Sequence, residues 1–285
     1  MPSAKRQRKR EGRQYRQAQV KAAQRRRAQR RNAIRIAVVT AVALALALSL
    51  GLFSAKKSTK VSTKATTTTA AAGPPRAAPL PPGAKLQAWT CPQPGGTSPR
   101  TDQFPSTPPP LCIDPAKTYV AHLSTSEGAV DVTLDSKRTP NTANNYAVLA
   151  RYHYFDGTTI DRIDNSIDIL QTGSPKTQDI SDSGPGYNIK DEGGKFTYSD
   201  GDVVMARSSG ADSGSAQYFF VVGPKASALN AQGTYVTFGK ITAGLDVLHR
   251  VEGLFQACPS DAQGCLGGAP NRIVTINKVT IEEKQ

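Results

Sequence analysis

The chain has 285 residues and a formal net charge of +14, with 36 Lys and Arg against 22 Asp and Glu. This charge is concentrated at one end, because residues 1–35 hold fourteen Lys or Arg and a single acid, Glu11, for a net charge of +13. The rest of the chain is close to neutral. The composition therefore gives no reason to expect nucleic-acid binding by the folded part of the protein.

An apolar segment at residues 36–54 follows this basic arm. Residues 36–53 read IAVVTAVALALALSLGLF, without a charge. As a helix they span about 27 Å, close to the thickness of a bilayer's hydrocarbon core. The sequence predicts one transmembrane helix with a cytoplasmic N-terminus and an extracytoplasmic domain, since basic flanks stay on the cytoplasmic side. A cleaved signal peptide is the alternative.

The arm itself, residues 1–35, is interpreted as a solvated cytoplasmic tail that sets the topology. Contact with anionic lipid is an alternative, because each Lys or Arg near the membrane adds about 1 kcal/mol of attraction. RNA binding by the arm is a weaker alternative, since no interleaved aromatic residues suggest base stacking.

Residues 55–116 are rich in Pro, Thr and Ala, as in KATTTTAAAGPPRAAPLPPGA. A segment with so little to bury predicts a disordered, partly polyproline-like linker. Cys91 and Cys112 lie in its second half.

Four cysteines follow the apolar segment: Cys91, Cys112, Cys258 and Cys265. Their spacing does not match a zinc site, and an even number on the outer side of a membrane predicts two disulfides. Three pairings are open. Cys91–Cys112 and Cys258–Cys265 close the shortest loops and are preferred.

A folded domain is predicted over residues 117–285. Its sequence begins with two alternating segments around Ser126-Glu127-Gly128, which predict a β-hairpin. A helical pattern begins near Pro140, several short strands separated by Gly, Ser and Asp follow, and a second helix at GLDVLHRVEG precedes a closing strand. This order predicts a mainly β fold, a closed antiparallel barrel capped by helices.

Common catalytic signatures are absent from the sequence. It contains no G-x-S-x-G, no H-E-x-x-H and no P-loop. We therefore expect no cofactor and no metal.

Five segments in the domain are similar in order and spacing to the motifs of the cyclophilin family. They are TPNTANNYAVLARYHYFDGTTIDRI at 139–163, QTGSP at 171–175, GPGYNIKDE at 184–192, VVMARSSGADSGSAQYFFV at 203–221 and TYVTFGKITAGLDVLHRVE at 234–252. The chain thus resembles a divergent, membrane-anchored bacterial cyclophilin. The resemblance implies an eight-stranded barrel with two capping helices and peptidyl-prolyl cis–trans isomerase activity, in a single-pass protein of the bacterial cell membrane.

The resemblance also implies roles for individual residues. Arg162 matches the catalytic arginine, Gln171 the glutamine beside it, and Phe219 the aromatic floor of the proline pocket. Leu229 matches another wall of that pocket, and Ala206 a small residue whose backbone holds the substrate chain.

The sequence departs from the family pattern between Arg162 and Gln171. Asp161 stands in place of a histidine, and the intervening stretch is one residue longer. Either Ile167 or Asp168 therefore takes the place of the pocket phenylalanine, and Ile169 matches the next apolar wall residue.

The sequence departs from the family pattern at three further positions. Arg207 replaces an asparagine, Tyr235 replaces a histidine, and Ala228 replaces the tryptophan that holds cyclosporin. These changes predict a remodelled substrate site and weak cyclosporin inhibition.

Two functions are compatible with these residues, both with proline-containing polypeptide segments as partners. In the first, the domain is an isomerase that assists the folding of exported proteins, with Arg162 donating a hydrogen bond to the prolyl nitrogen. In the second, it is a catalytically weak module that binds proline-containing segments of a partner at the membrane surface.

Overall fold

A computed structural model describes residues 73–259 and 266–284. The helices are α1 (Pro140–Arg151) and α2 (Leu245–Glu252), with a 3-10 helix at Pro224–Ala231. The strands are β1 (Ala84–Lys85), β2 (Thr101–Gln103), β3 (Thr118–Thr125), β4 (Gly128–Leu134), β5 (Thr158–Thr159), β6 (Arg162–Asp164), β7 (Ile169–Thr172), β8 (Asp202–Arg207), β9 (Gly214–Val221), β10 (Thr237–Ala243), β11 (Phe255–Ala257), β12 (Gly268–Pro270) and β13 (Thr275–Lys284).

Eleven of these strands form one curled antiparallel sheet in the order β11-β12-β6-β7-β9-β8-β10-β4-β3-β13-β5. β5 and β6 are parts of one interrupted segment; β5 pairs with β13 and β6 with β7. The sheet has eleven strands among the described residues where eight were predicted, because the β5–β6 segment is interrupted and the β11–β12 hairpin adds two. The predicted mainly β architecture is confirmed, and full closure of the sheet into a barrel stays a prediction.

The core lies inside the curl of the sheet. One row across it consists of Ile163, Leu170, Phe220 and Val203, paired in register on four neighbouring strands and at most 1% exposed. α1 contributes Tyr146, which packs against several aromatic rings of the core. Alternate residues of β6 and β7 point to the outer face of the sheet. These strands therefore contribute side chains to the core on one face and to a surface groove on the other.

The N-terminus of α1 is held by a distant carboxylate. Pro140 opens the helix and lacks an N–H, as favoured at a first helical position. Glu192 accepts hydrogen bonds from the backbone N–H of Thr142, at 2.6 Å, and from its hydroxyl, at 2.8 Å. This contact ties the loop after β7 to the helix.

The predicted linker over residues 55–116 is wrong for the part that the structure describes. The described part of the segment packs on the domain: the backbone N–H of Leu80 donates to the carbonyl of Pro175 at 3.0 Å, and Phe104 meets the ring of Tyr152 at 5.7 Å between ring centroids. Phe104 and Ile113 are buried. The composition hid these contacts because a few apolar anchors, separated by prolines, are enough to hold a segment that has almost no regular structure of its own.

Asn144 of α1 completes the attachment of this segment. Its side-chain oxygen accepts from the backbone N–H groups of Cys112, at 2.7 Å, and Ile113, at 3.2 Å, while its amide donates to the carbonyl of Pro110 at 2.9 Å. Asn144 is only 2% exposed, so these contacts satisfy a polar group that is buried in the helix.

The predicted Cys91–Cys112 disulfide is present, with 5.4 Å between the Cα atoms. Cys258 is also disulfide-bonded, and its predicted partner Cys265 lies outside the described residues. The predicted arm at 1–35, the apolar segment at 36–54 and residues 55–72 of the linker lie outside them as well. In the part of the chain that the structure describes, no helix is long and apolar enough to cross a membrane.

Candidate active site

One row of side chains crosses four strands on the outer face of the sheet. Arg162 on β6 lies opposite Gln171 on β7, Gln171 lies opposite Phe219 on β9, and Phe219 lies opposite Val204 on β8. Residues directly opposite each other in an antiparallel sheet point to the same face. The pairing thus places the three predicted catalytic side chains together and turns Phe220 toward the core.

Arg162 is held on three sides. Its Nη1 donates to Oε1 of Gln171 at 3.0 Å, and its Nε donates to the carbonyl oxygen of Leu266 at 3.3 Å. Its Nη2 forms an ion pair with Asp164. A guanidinium has five N–H donors in a rigid plane, so these three contacts fix its orientation and leave two donors for a substrate.

Gln171 connects Arg162 to a side chain on β9. Its Nε2 donates to Oε1 of Gln217 at 2.8 Å. The chain then turns sharply at Gly173, where φ is +100° and an added Cβ would lie 2.7 Å from the carbonyl oxygen of Ala216. The close approach of β7 to β9 at this glycine keeps the two glutamine side chains within hydrogen-bonding distance.

A cavity of about 420 Å³ opens beside this row. Arg162, Gln171, Ala206 and Arg207 line it, so four of the predicted site residues share one space. Its remaining wall is largely polar, with Asn188, Gln217, several serines, Asp182, Ile180 and the exposed Leu266. The walls offer a bound polypeptide hydrogen-bonding groups and apolar surface in similar amounts.

Phe219, Leu229 and Tyr235 lie outside this cavity. Phe219 is 4% exposed, and the ring of Tyr235 meets it edge to face at 6.1 Å between centroids. Leu229 on the 3-10 helix is partly buried and packs against the core. Phe219 offers little open surface for a proline ring, and the roles of Phe219 and Leu229 in a proline pocket stay predictions.

Arg207 fills the space next to Tyr235. Its guanidinium carbon lies 4.3 Å from the centre of the Tyr235 ring, and its Nη1 lies 2.8 Å from a carboxylate oxygen of Asp191. Nη2 also donates to the hydroxyl of Thr234 at 2.9 Å. The Arg207 side chain is 4% exposed, so these contacts fix it as part of the wall of the site.

Asp168 is not part of the groove, contrary to one of the two sequence alternatives. Its carboxylate accepts from the backbone N–H of Lys225 at 2.9 Å and from the Lys225 ammonium at 2.7 Å. It thereby satisfies a free donor in the first turn of the 3-10 helix, where negative charge is favoured. The backbone at this residue is left-handed, with φ +48°, and Asp168 does not line the cavity.

Ile167 remains the alternative for the apolar wall. It is partly buried and packs against the core. Ile169, the next predicted wall residue, is 2% exposed and lies opposite Val221 on β9. Neither lines the cavity.

Asp161 precedes Arg162 and has a very different environment. Both carboxylate oxygens are buried, and neither makes a hydrogen bond of ordinary geometry within the described residues. Burial raises the pKa of Asp161 to about 7; the nearby Ser174 hydroxyl reduces this rise, while the charges of Asp179 and Asp182 increase it. The acid next to the candidate catalytic arginine is therefore largely protonated below neutral pH.

Sequence reasoning missed three residues that contact Arg162 or its partner: Asp164, Leu266 and Gln217. Asp164 lies two positions after Arg162, the spacing that puts two strand residues on one face. Recognising residues 162–164 as a strand would therefore have placed Asp164 beside Arg162. Leu266 reaches Arg162 because the β11–β12 hairpin pairs with β6, and no local sequence signal indicates that pairing. Among the described residues, no cluster of three or more His, Cys, Asp or Glu side chains could hold a metal ion.

Comparison with known proteins identifies the family of this chain. A family model described as cyclophilin type peptidyl-prolyl cis-trans isomerase/CLD matches residues 120–281. The chain is 27% identical over 171 residues to a peptidyl-prolyl cis-trans isomerase of Acinetobacter baylyi, covering 59% of this chain and 87% of that protein. It is 30% identical over 138 residues to peptidyl-prolyl cis-trans isomerase cyp18 of Streptomyces antibioticus, covering 46% and 82% respectively.

Similarity extends to solved structures. The chain is similar to a cyclophilin type peptidyl-prolyl cis-trans isomerase of Cryptosporidium parvum, with a TM-score of 0.47, 22% identity, and coverage of 59% of this chain and 99% of that chain. A second structure of that protein, in the presence of the dipeptide Ala-Pro, has a TM-score of 0.46 and 24% identity, covering 58% and 99%. Because the family model spans more than half of the sequence, the chain belongs to the cyclophilin-type peptidyl-prolyl cis–trans isomerase family of enzymes.

Proposed function

We propose that this enzyme accelerates the isomerisation of prolyl bonds in exported polypeptides, and that Arg162 donates a hydrogen bond to the prolyl nitrogen. The observation that carries this proposal is the fixed guanidinium of Arg162, which keeps two N–H donors free beside a cavity of about 420 Å³. Gln171 lies next to it and fixes its plane.

The chemistry follows from the electronic structure of the amide. Resonance gives the C–N bond partial double-bond character and a rotation barrier of about 20 kcal/mol. In the twisted transition state the nitrogen becomes pyramidal and gains a lone pair, which can accept a hydrogen bond. A donor that binds this state better than the planar ground state lowers the barrier, and no cofactor or covalent step is required.

An activity assay with matched variants tests this proposal. The full-length chain is assayed with a proline-containing tetrapeptide whose two isomers are cleaved at different rates by an added protease. We expect Arg162→Ala to lower kcat/KM by about 100-fold, the range seen when a positioned donor is removed. Arg250→Ala removes an exposed arginine that is paired with Asp246 on α2 and serves as the control.

A specific observation also favours the second function, a catalytically weak module that binds proline-containing segments. Phe219 is only 4% exposed and is covered at its edge by Tyr235, so ring binding requires this pair to move apart. If peptides bind with saturable affinity while the isomerisation rate equals the uncatalysed rate, the binding module is correct and the enzymatic mechanism at Arg162 is wrong.

The cellular placement is also a proposal. The apolar segment at 36–54 and the +13 charge of residues 1–35 support a single-pass anchor in the bacterial cell membrane, with the arm on the cytoplasmic side against anionic lipid and the domain outside. Two assays test this placement. The chain should stay with membranes after alkaline washing, and protease added to intact spheroplasts should digest the domain but spare the arm. Release by the wash, or a protected domain, would refute the anchor or its orientation.

A further inference from the structure

We propose that Asp164 is a positioning residue for Arg162 and that its charge sets which residues the groove accepts before proline. The proposal deepens the function given above and rests on the role of Arg162 in it. Asp164 is two residues after Arg162 on β6, so both side chains leave the same face of the strand.

The ion pair between these residues is largely shielded from water. Oδ2 of Asp164 lies 2.5 Å from Nη2 of Arg162, and the two side chains are 15% and 17% exposed. An ion pair in such a place is screened less by salt than a surface pair. It can therefore restrain the guanidinium under physiological conditions.

Asp164 is itself fixed in place. Its second oxygen, Oδ1, accepts from the backbone N–H of Ser166 at 3.0 Å and from the Ser166 hydroxyl at 2.5 Å. Burial acts to raise the pKa of Asp164, but the Ser166 hydrogen bonds and the Arg162 charge outweigh it and hold that pKa below its usual value. The carboxylate is therefore charged at neutral pH and cannot rotate without losing a partner.

This arrangement has two consequences for catalysis. First, Asp164, Gln171 and the carbonyl of Leu266 together hold the guanidinium in one plane, which aligns its free donors before a substrate arrives. Second, Asp164 is the charged member of the three, so it offsets the positive charge that Arg162 presents to the groove. An acidic residue next to the proline is attracted less than it would be by Arg162 alone.

The test measures kcat and KM of the full-length chain on three peptides that place Ala, Glu or Lys before proline. Asp164→Ala should lower kcat by about tenfold with little change in KM, because the donor loses its alignment. Asp164→Asn keeps a hydrogen-bond acceptor without the charge. It should recover most of kcat and shift the Glu-to-Lys ratio of kcat/KM toward Glu by about threefold or more. Asp246→Asn, an exposed acid on α2, is the control.

Three results would overturn the inference. They are a wild-type kcat in Asp164→Ala, an unchanged Glu-to-Lys ratio in Asp164→Asn, and additive losses in the double variant Arg162→Ala/Asp164→Ala. If Asp164 acts through Arg162, the double variant should be no worse than Arg162→Ala alone. Thermal unfolding of every variant verifies folding, and the isosteric Asn variant carries the test if the Ala variant is unfolded.

The kcat values of the variants also distinguish an error in the proposed function from an error in the role of Asp164. If Arg162→Ala retains the wild-type kcat, the role of Arg162 is wrong and the positioning role of Asp164 is overturned with it. If Arg162→Ala loses activity while both Asp164 variants behave as wild type, only the role of Asp164 is wrong.

Discussion

Replacing Asp161 with asparagine should stabilise the protein, and the gain should grow with pH. Asp161 has two buried carboxylate oxygens without ordinary hydrogen bonds, and burial raises its pKa from 3.8 to about 7. The folded state thus binds this proton more tightly than the unfolded state. The destabilisation caused by ionising Asp161 is absent below about pH 4, grows as pH rises toward 7, and is constant above that value.

The size of the effect follows from the shift. A rise of about three pH units corresponds to about 4 kcal/mol at alkaline pH, at 1.36 kcal/mol per unit. Between pH 5 and pH 8.5 the difference between Asp161→Asn and the wild type should therefore change by about 3 kcal/mol. Asparagine has nearly the same shape and stays neutral, so it removes the charge without leaving a cavity.

Urea unfolding of both proteins at several pH values measures this difference directly. Subtracting the wild-type free energy of unfolding from that of the variant cancels the titration of all other groups. Asp246→Asn on the exposed face of α2 is the control; its difference should lack the rise toward alkaline pH. A difference for Asp161→Asn that is flat between pH 5 and pH 8.5 would refute the buried, protonated acid.

Three further predictions concern stability. Hydrogen bonds to Asp131 and Glu282 raise the pKa of His122. The resulting stabilisation should be full below about pH 6.5 and disappear as pH rises through the raised pKa, so the destabilisation caused by His122→Gln should fade over that range in urea unfolding at several pH values. The double variant Cys91→Ser/Cys112→Ser should lose about 3 kcal/mol and become protease-sensitive before residue 116, while its kcat is unchanged; equal protease resistance would contradict this. Asp168→Ala should cost about 2–3 kcal/mol in urea unfolding, because it removes a buried hydrogen-bonded charge; a change below 0.5 kcal/mol would rule out the capping role.

The choice between Phe219 and Phe220 for the groove face was predictable from the sequence. Alternation in β9 allows only one of Phe219 and Phe220 to face the groove, and the pairing with Gln171 and Val204 puts Phe219 there. The same period-two rule applies wherever one face of a strand is buried. Because both candidates are apolar, alternation limits the choice to one of the two, and the resemblance to the family identifies Phe219.

The environment of Arg162 was not predictable to the same degree. The loop between Arg162 and Gln171 is one residue longer than the family pattern, and sequence alone could not decide whether Ile167 or Asp168 faced the groove. The decision rests on Lys225, about sixty residues away, whose N–H and ammonium both bind Asp168. Long-range contacts of this kind leave no periodic signal.

The contacts of the segment before residue 117 determine where a fragment that keeps the fold can begin. The family match begins at residue 120, yet Asn144 in α1 depends on partners at Pro110, Cys112 and Ile113. A fragment that starts at residue 115 would leave this buried amide without those partners and would remove the aromatic cover provided by Phe104. A fragment that keeps these contacts must therefore include Phe104 and residues 110–113, which precede the family match. Activity lost on a shorter fragment would reflect lost structure and not a weak catalyst.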